Sequence, residues 1–236
     1  MMNTVTCPIC KNQTFKSSIG RPYNVCLNCG SLERTRVIYM ALAKLGIPGI
    51  NDRILHFAPE KCFIDLFSES HGEKYEPVDM FPENYKHLTE RIRHLDICED
   101  LYSLPSDSWD LILHNHVLEH ILCSVKGVLR GFARILKPGG IMIFTIPVHP
   151  KQVTTEDLNP YLSGAERKKR FGQKDHVRLF GGDVLDLIKE ALGIDCFVPV
   201  TSLFTQNEFE KAGIIWKPEM EPHGESIFLY RKETQT

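Results

Sequence analysis

The sequence predicts an α/β protein in which a mainly parallel sheet is covered by helices on both faces and preceded by a small metal-held module. Three observations lead there. From residue 53 onward, short apolar runs alternate with helical patterns, and such alternation builds right-handed βαβ units on a parallel sheet. Four of the eight cysteines form two Cys-x-x-Cys pairs near the N-terminus, a spacing that reads as metal ligands. The composition is that of a globular chain: 236 residues, 42% hydrophobic and 25% charged. It excludes a disordered or fibrous protein and leaves room for one large domain plus a small one.

The formal charge of −2 argues against a wholly basic nucleic-acid binder. The longest apolar runs fall far short of the ~20 residues needed to span a bilayer, so no membrane partner is expected. The stretch Met1-Met2-Asn3-Thr4-Val5-Thr6-Cys7 has neither a basic n-region nor an apolar h-region, so a cytoplasmic location is expected. Thiols stay reduced there, and Cys-x-x-Cys pairs read as metal ligands before disulfides. The other four cysteines, Cys62, Cys98, Cys123 and Cys196, are scattered singly.

Cys7-x2-Cys10 and Cys26-x2-Cys29 predict one Zn²⁺ held by four thiolates, with Pro8 and Gly30 suiting the knuckle turns. Four protein ligands close the coordination sphere, so the zinc is expected to be structural. It would fold residues 1–31, a module too short to bury a core of its own. Between Met1 and Ile50 stand six basic residues, Lys11, Lys16, Arg21, Arg34, Arg36 and Lys44, and one acid, Glu33. They make either a surface for phosphate or carboxylate groups or an ordinary solvated face.

The larger domain is expected over 32–236. A helix from about Leu32 to Leu45 has Ser31 as N-cap and Glu33 in its first turn, and Gly46 and Pro48 end it. Strands follow over 53–57, 75–80, 94–97, 109–114, 141–146, 196–202 and 226–230, with helices over 61–70, 124–136 and 183–192. Lys137-Pro138-Gly139-Gly140 is expected to turn the third helix into its strand. Residues 147–180 read as a long loop after a strand end, an insertion suited to an active-site lid. Ligands of such sheets bind outside the carboxyl ends of the strands.

Four segments in order carry a family resemblance. They are Ile54-Leu55-His56-Phe57-Ala58-Pro59-Glu60; Asp96 with the run Leu104 to Asp110; His114-Asn115-His116-Val117-Leu118-Glu119-His120; and Ile135-Leu136-Lys137-Pro138-Gly139-Gly140. Over about residues 50–200 the chain resembles the class I S-adenosylmethionine-dependent methyltransferases of the broad type 11 group. The resemblance implies a Rossmann-like methyltransferase sheet and S-adenosylmethionine as cofactor. It places His56 at the usual acidic position of the first strand. Ala58, Pro59 and Glu60 fall in the loop under the cofactor's methionine portion, where the family is usually glycine-rich. Glu60 would accept from the α-ammonium group, or simply begin the next helix. Asp79 would take the ribose hydroxyls, with Met80 on the adenine face. Asp96 and the Ile97 N–H would meet the adenine edge, and Asn115 would lie near the sulfonium.

Methyl transfer from a sulfonium asks the protein to position the acceptor and, where needed, to remove its proton. Histidine titrates nearest neutral pH, which singles out His116 and His176 for acceptor contact. The resemblance gives His120 a role in ordering its loop. Asp175 is placed to orient His176, and Arg178 to bind an anionic acceptor. His114, His116 and His120 raise the alternative of a second metal. Arg167 to Arg170 form a basic run, read as a solvated helix or a phosphate contact. The expected function is methyl transfer to a small-molecule or sugar-type acceptor, anionic ones included. The alternatives are an RNA methyltransferase that uses the zinc module to hold RNA, and a non-catalytic cofactor-binding relative.

Overall fold

The computed structural model describes residues 4–234; Met1–Asn3, part of the N-terminal stretch read above, lie outside them. The chain opens with a hairpin, β1 (Phe15–Ser18) and β2 (Arg21–Cys26), turned through Gly20 at positive φ. Helix α1 (Glu33–Leu45) follows and ends at Gly46 in the left-handed conformation. Ser31 does not cap it. Leu32 holds the N-cap position without a side-chain bond, while the Ser31 hydroxyl lies 3.4 Å from Cys7 Sγ and 3.3 Å from Cys29 Sγ. The cysteine cluster has taken the hydroxyl that the helix would have used.

Next come β3 (Ile54–Phe57), α2 (Lys61–His71), β4 (Tyr75–Asp79) and β5 (Arg93–His94). The strand expected over 94–97 stops at His94 because Asp96 caps α3 (Ile97–Asp100), its carboxylate accepting the Cys98 N–H at 2.8 Å. Then follow β6 (Trp109–Asn115), α4 (Val125–Ile135) capped by Ser124, and β7 (Leu136–Thr145). The Lys137–Gly140 stretch belongs to β7 rather than to a turn before it. A Cβ at Gly140 would meet the Trp109 and Asp110 carbonyls at 3.1 and 3.2 Å, so only glycine lets the two strands close there.

Residues 147–180 are not a plain loop. They contain β8 (Val148–His149), β9 (Thr155–Glu156), α5 (Gly164–Phe171) and most of β10 (Arg178–Gly181). The three strands form a small sheet in the order β8-β10-β9. After α6 (Val184–Leu192) comes β11 (Phe197–Val198). The strand expected over 196–202 breaks there, because Pro199 removes a ladder donor and holds the N-cap of α7 (Val200–Leu203). Helix α8 (Gln206–Lys211) and strand β12 (Ile227–Arg231) complete the chain.

The main sheet has the order β11-β12-β7-β6-β3-β4-β5. Strands β3 to β7 are parallel, and β12 runs antiparallel to β7 and β11. The chain winds outward from β3 through β4 to β5, then from β6 to β7 on the other side. The topological switch therefore lies between β3 and β6. Alternate strand residues face opposite layers. Ile54, Leu111 and Ile143 meet Val37 of α1 and Phe63 of α2. Leu55, Ile112 and Phe144 meet Phe132 of α4 and Ile188 of α6. Burial on both faces is why these strands read as unbroken apolar runs.

Cys98 and Cys123 are not isolated thiols: they form a disulfide that ties α3 to the loop before α4. Their separation of 25 residues carries no local pattern, so the pairing is visible only in the fold. Among the described residues no helix is long and apolar enough to cross a membrane.

Candidate functional site

The four N-terminal cysteines converge. Cys7 Sγ lies 3.7 Å from Cys29 Sγ, and Cys10 Sγ lies 3.5 Å from Cys26 Sγ. A tetrahedron with Zn–S bonds of ~2.3 Å has an edge of ~3.8 Å, so these residues fit one closed zinc site. Asn12 Nδ2 donates toward Cys26 Sγ at 3.7 Å, the kind of outer contact that steadies a thiolate ligand.

Several of the basic residues around the cluster are engaged within the protein, while Lys16 faces solvent. Arg36 is fully buried and donates to the carbonyls of Ser31, Tyr23 and Gly213 at 2.9, 2.6 and 2.7 Å. It fastens the module to the segment after α8. Arg21 pairs with Glu225 at 3.0 Å, and Lys11 Nζ donates to the Pro8 carbonyl at 2.7 Å. Arg34 differs. Among the described residues its guanidinium makes no hydrogen bond or ion pair, and its buried Nε has no partner. Its charge nonetheless acts on Glu60, His116 and Glu119.

A cleft of about 550 Å³ opens at the carboxyl ends of β3, β4 and β5, where the switch point places ligands. Ala58, Asp79, Met80, Asp96, Ile97 and His120 stand in its wall. Ala58 turns the chain at φ 48, a left-handed conformation that a residue with a Cβ adopts at a cost of ~1–2 kcal/mol. Asp79 accepts the Phe81 N–H at 2.7 Å and the Tyr85 hydroxyl at 2.9 Å on separate oxygens, and each oxygen keeps a second lone pair. Two carboxylates beside exposed Met80 and Phe81 fit a ligand with hydroxyls and a flat ring.

His56, Pro59, Glu60 and Asn115 do not stand in that wall. His56 is fully buried on the α2 side of the sheet, 3.0 Å from Tyr75 Oη and 3.1 Å from Glu60 Oε2. Asn115 Nδ2 donates to Glu60 Oε1 at 3.1 Å, and its Oδ1 accepts from Thr145 at 3.1 Å. Tyr75, His56, Glu60, Asn115 and Thr145 thus form one satisfied network across four strands. Burial alone would raise Glu60; the His56 bond and charge, with Arg34 beyond, hold it below the usual carboxylate range.

The histidines part company. His114 lies on the other face, stacked 4.6 Å from Phe144, with neither ring nitrogen partnered. Burial pushes it down to about 3. The trio of His114, His116 and His120 is therefore not assembled. His116 sits at φ 54 just past β6, and its Nε2–H donates to the Gly224 carbonyl at 2.8 Å. Burial and the charge of Arg34 take it down to about 4. His120 borders the cleft and donates from Nδ1 to the Asp175 carbonyl at 3.3 Å. His176 is buried edge-on to His120, ring centres 4.7 Å apart. Asp175 approaches His120 rather than His176, at 3.5 Å.

Arg178 does not reach toward an acceptor. It is fully buried, donates to the Leu118 and Cys123 carbonyls, and pairs with Glu156 at 3.2 Å. It braces the loop after β6. In the basic run, Arg170 pairs with Asp157 and Arg167 Nε donates to the Leu162 carbonyl at 3.0 Å; Lys168 and Lys169 face solvent.

A family model described as a methyltransferase domain matches residues 62–144. A solved S-adenosylmethionine-dependent methyltransferase from Mesorhizobium loti superposes with a TM-score of 0.51 at 16% identity, covering 83% of this chain and 98% of that one. The chain has the Rossmann-like methyltransferase fold. Also similar are the YcgJ protein of Bacillus subtilis and a Burkholderia thailandensis 1,6-didemethyltoxoflavin-N1-methyltransferase. The first has a TM-score of 0.45 at 14% identity over 83% of this chain and 98% of that one. The second has a TM-score of 0.47 at 16% identity over 85% and 78%. No curated protein sequence matches the chain.

Within this methyltransferase fold, two residues of the site went unassigned at the level of sequence. Glu119 lies inside an apolar loop, fully buried, with no hydrogen bond to either carboxylate oxygen. Burial pushes it up to about 8. Its signal was a lone acid between Leu118 and His120 just past a strand end. Arg34 was one basic residue among several, and only the fold separates it from the buried Arg36.

Proposed function

We propose that the chain transfers a methyl group from S-adenosylmethionine to a small, anionic, sugar-type acceptor. One observation carries this. A cleft walled by Asp79 and Asp96 opens at the carboxyl ends of the strands; outside that wall stands Arg34, whose unpartnered guanidinium acts on Glu60, His116 and Glu119. Asp79 would take the ribose hydroxyls, Met80 would cover the adenine, and Asp96 with the Ile97 N–H would meet its edge. Bound there, the cofactor supplies a methyl group already activated by its sulfonium.

The chain's own part is to orient the acceptor and exclude water. Arg34 would hold a phosphate or carboxylate of the acceptor, a charge-assisted contact. His116, its Nε2–H committed to Gly224, turns Nδ1 to Glu119 Oε1 at 3.4 Å and would position that carboxylate. The zinc would fold the module, and α1 would carry Arg34 from that module into the site. Arg21, Arg36, Arg167 and Arg170 are engaged within the protein, so the arrangement favours a small anion over RNA.

The test is S-adenosylhomocysteine titration, followed by methyl transfer from labelled S-adenosylmethionine to sugar phosphates, sugar acids and structured RNA. We expect micromolar cofactor binding and methylation of an anionic sugar. Arg34→Gln should raise the acceptor KM roughly 10- to 150-fold, the equivalent of a charged hydrogen bond worth ~1.5–3 kcal/mol, and leave cofactor affinity unchanged. Methylation of RNA alone would overturn the acceptor class. Absence of cofactor binding would favour the non-catalytic relative.

A further inference from the structure

We propose that Glu119, His120 and His176 form a second metal site, one that binds a divalent first-row transition ion at the cleft and offers it an oxygen of the acceptor. One carboxylate oxygen and one ring nitrogen from each histidine lie within 4.8 Å of one another. Donors ~2.1 Å from one ion in a tetrahedral arrangement lie ~3.4 Å apart. A closing of roughly an ångström, ~1.4 Å at the most, therefore brings all three onto one cation.

Three features make the cluster a site. Glu119 is fully buried and neither carboxylate oxygen accepts a hydrogen bond, the facing groups being His116 Nδ1 at 3.4 Å and His120 Nε2 at 4.0 Å from Oε1, so a bound cation would both neutralise the carboxylate and complete its contacts. His120 spends its Nδ1–H on the Asp175 carbonyl at 3.3 Å, which turns the lone pair of Nε2 toward Glu119 Oε1 at 4.0 Å. Such an outer bond fixes the tautomer of a metal-ligating imidazole. The backbone is held as well. The Val177 N–H donates to the Glu119 carbonyl at 3.0 Å, and Arg178 grips the Leu118 carbonyl. The chain segments that bear the three ligands are thus tied together.

Two imidazoles and one carboxylate suit Mn²⁺, Fe²⁺, Co²⁺ or Zn²⁺ better than Mg²⁺ or Ca²⁺. Three protein ligands leave positions open, unlike the four thiolates of the N-terminal cluster. His120 and Asp175 border the cleft, so the open positions face it. A hydroxyl or carboxylate oxygen of the acceptor is the ligand that would fill them. That last assignment rests on the methyltransferase reading; the metal site itself does not.

The test is a Mn²⁺ titration of the full, zinc-loaded protein, followed by the loss of the free-ion electron paramagnetic resonance signal. Mn²⁺ does not displace zinc from thiolates. We expect one Mn²⁺ per chain, weakened more than tenfold in Glu119→Gln and in His176→Ala. Melting temperature and S-adenosylhomocysteine affinity of each variant report folding, and His176→Ala carries the test if Glu119→Gln fails to fold. No Mn²⁺ uptake, or uptake unchanged in a folded variant, would overturn the proposal. Mn²⁺ uptake without S-adenosylhomocysteine binding would uphold the metal site and sink the methyltransferase reading instead.

Discussion

The N-terminal cysteine cluster and the loop after β6 treat buried polar groups in opposite ways. Around the cysteines most polar groups are partnered: Ser31 lies against Cys7 and Cys29, Asn12 donates to Cys26, and Arg36 donates to three carbonyls, with Arg36 Nε and Thr35 Oγ1 left over. At the end of β6 and just beyond it, the whole polar part of the His114 and Glu119 side chains is buried without a hydrogen bond, only His116 Nδ1 and His120 Nε2 facing Glu119 Oε1 at 3.4 and 4.0 Å. Leaving a buried polar group unpaired costs ~1–3 kcal/mol. A chain that carries such a cost at one strand end has a use for it there. On the proposed reading the first region is a scaffold, and the second is where a ligand would complete the structure. Changes in the first should therefore move stability, and changes in the second should move binding.

The largest effect is expected from Cys26→Ser. Metal binding to a structural zinc site is folding free energy, so the variant should lose its zinc and at least ~5 kcal/mol of stability, or roughly 10–20 °C in Tm. Zinc analysis with calorimetry reads both. Arg36→Met comes next. It leaves three buried carbonyls without a donor, each worth ~1–3 kcal/mol, offset in part by the guanidinium no longer being buried; a loss of ~3–5 kcal/mol in urea unfolding is expected. A Met variant as stable as the parent would break the contrast.

His114→Phe probes the second region. Phenylalanine keeps the stack on Phe144 and removes two unpartnered nitrogens, so stability at pH 7 should hold or rise by ~1–2 kcal/mol. The pH dependence has a definite sign. Burial, and then the charge of His56, lower His114 to about 3 in the fold, whereas the unfolded value is ~6.5. Its neutral form thus supports the fold fully above pH ~6.5, and that support is lost as pH falls toward 3, at up to ~1.4 kcal/mol per pH unit. Acid unfolding of the Phe variant should be shallower by one proton. Ala58→Gly is the smallest. Relief of the left-handed turn and the higher entropy of unfolded glycine nearly cancel, so a change within ~1 kcal/mol and unaltered cofactor affinity are expected.

What the sequence discloses follows the same division. The cysteine spacing was legible because its ligands sit in two local turns. The parallel strands were legible because both faces are buried, and so was the place of Asp79 at the end of β4; Asp96, expected at a strand end, caps α3 instead. The Cys98–Cys123 disulfide, the β8-β10-β9 sheet and the Glu119–His120–His176 cluster were not legible. Each joins residues brought together by the fold, with no periodicity to mark them. His56 and Arg178 show the converse. Their chemistry suggested a site, but neighbours absent from any local window, Tyr75 and Glu60 for one and the Leu118 and Cys123 carbonyls for the other, turned both into structure. Ser31 was read as a helix cap for the same reason: nothing local tells that two sulfurs compete for its hydroxyl.

Isothermal titration of the zinc-loaded protein with S-adenosylhomocysteine tests the central claim most directly. One molecule bound per chain at micromolar affinity, weakened at least tenfold by Asp79→Asn, is the predicted result. Heat-silent mixing confirmed by a second method, or affinity indifferent to Asp79, would contradict the assignment of the cleft.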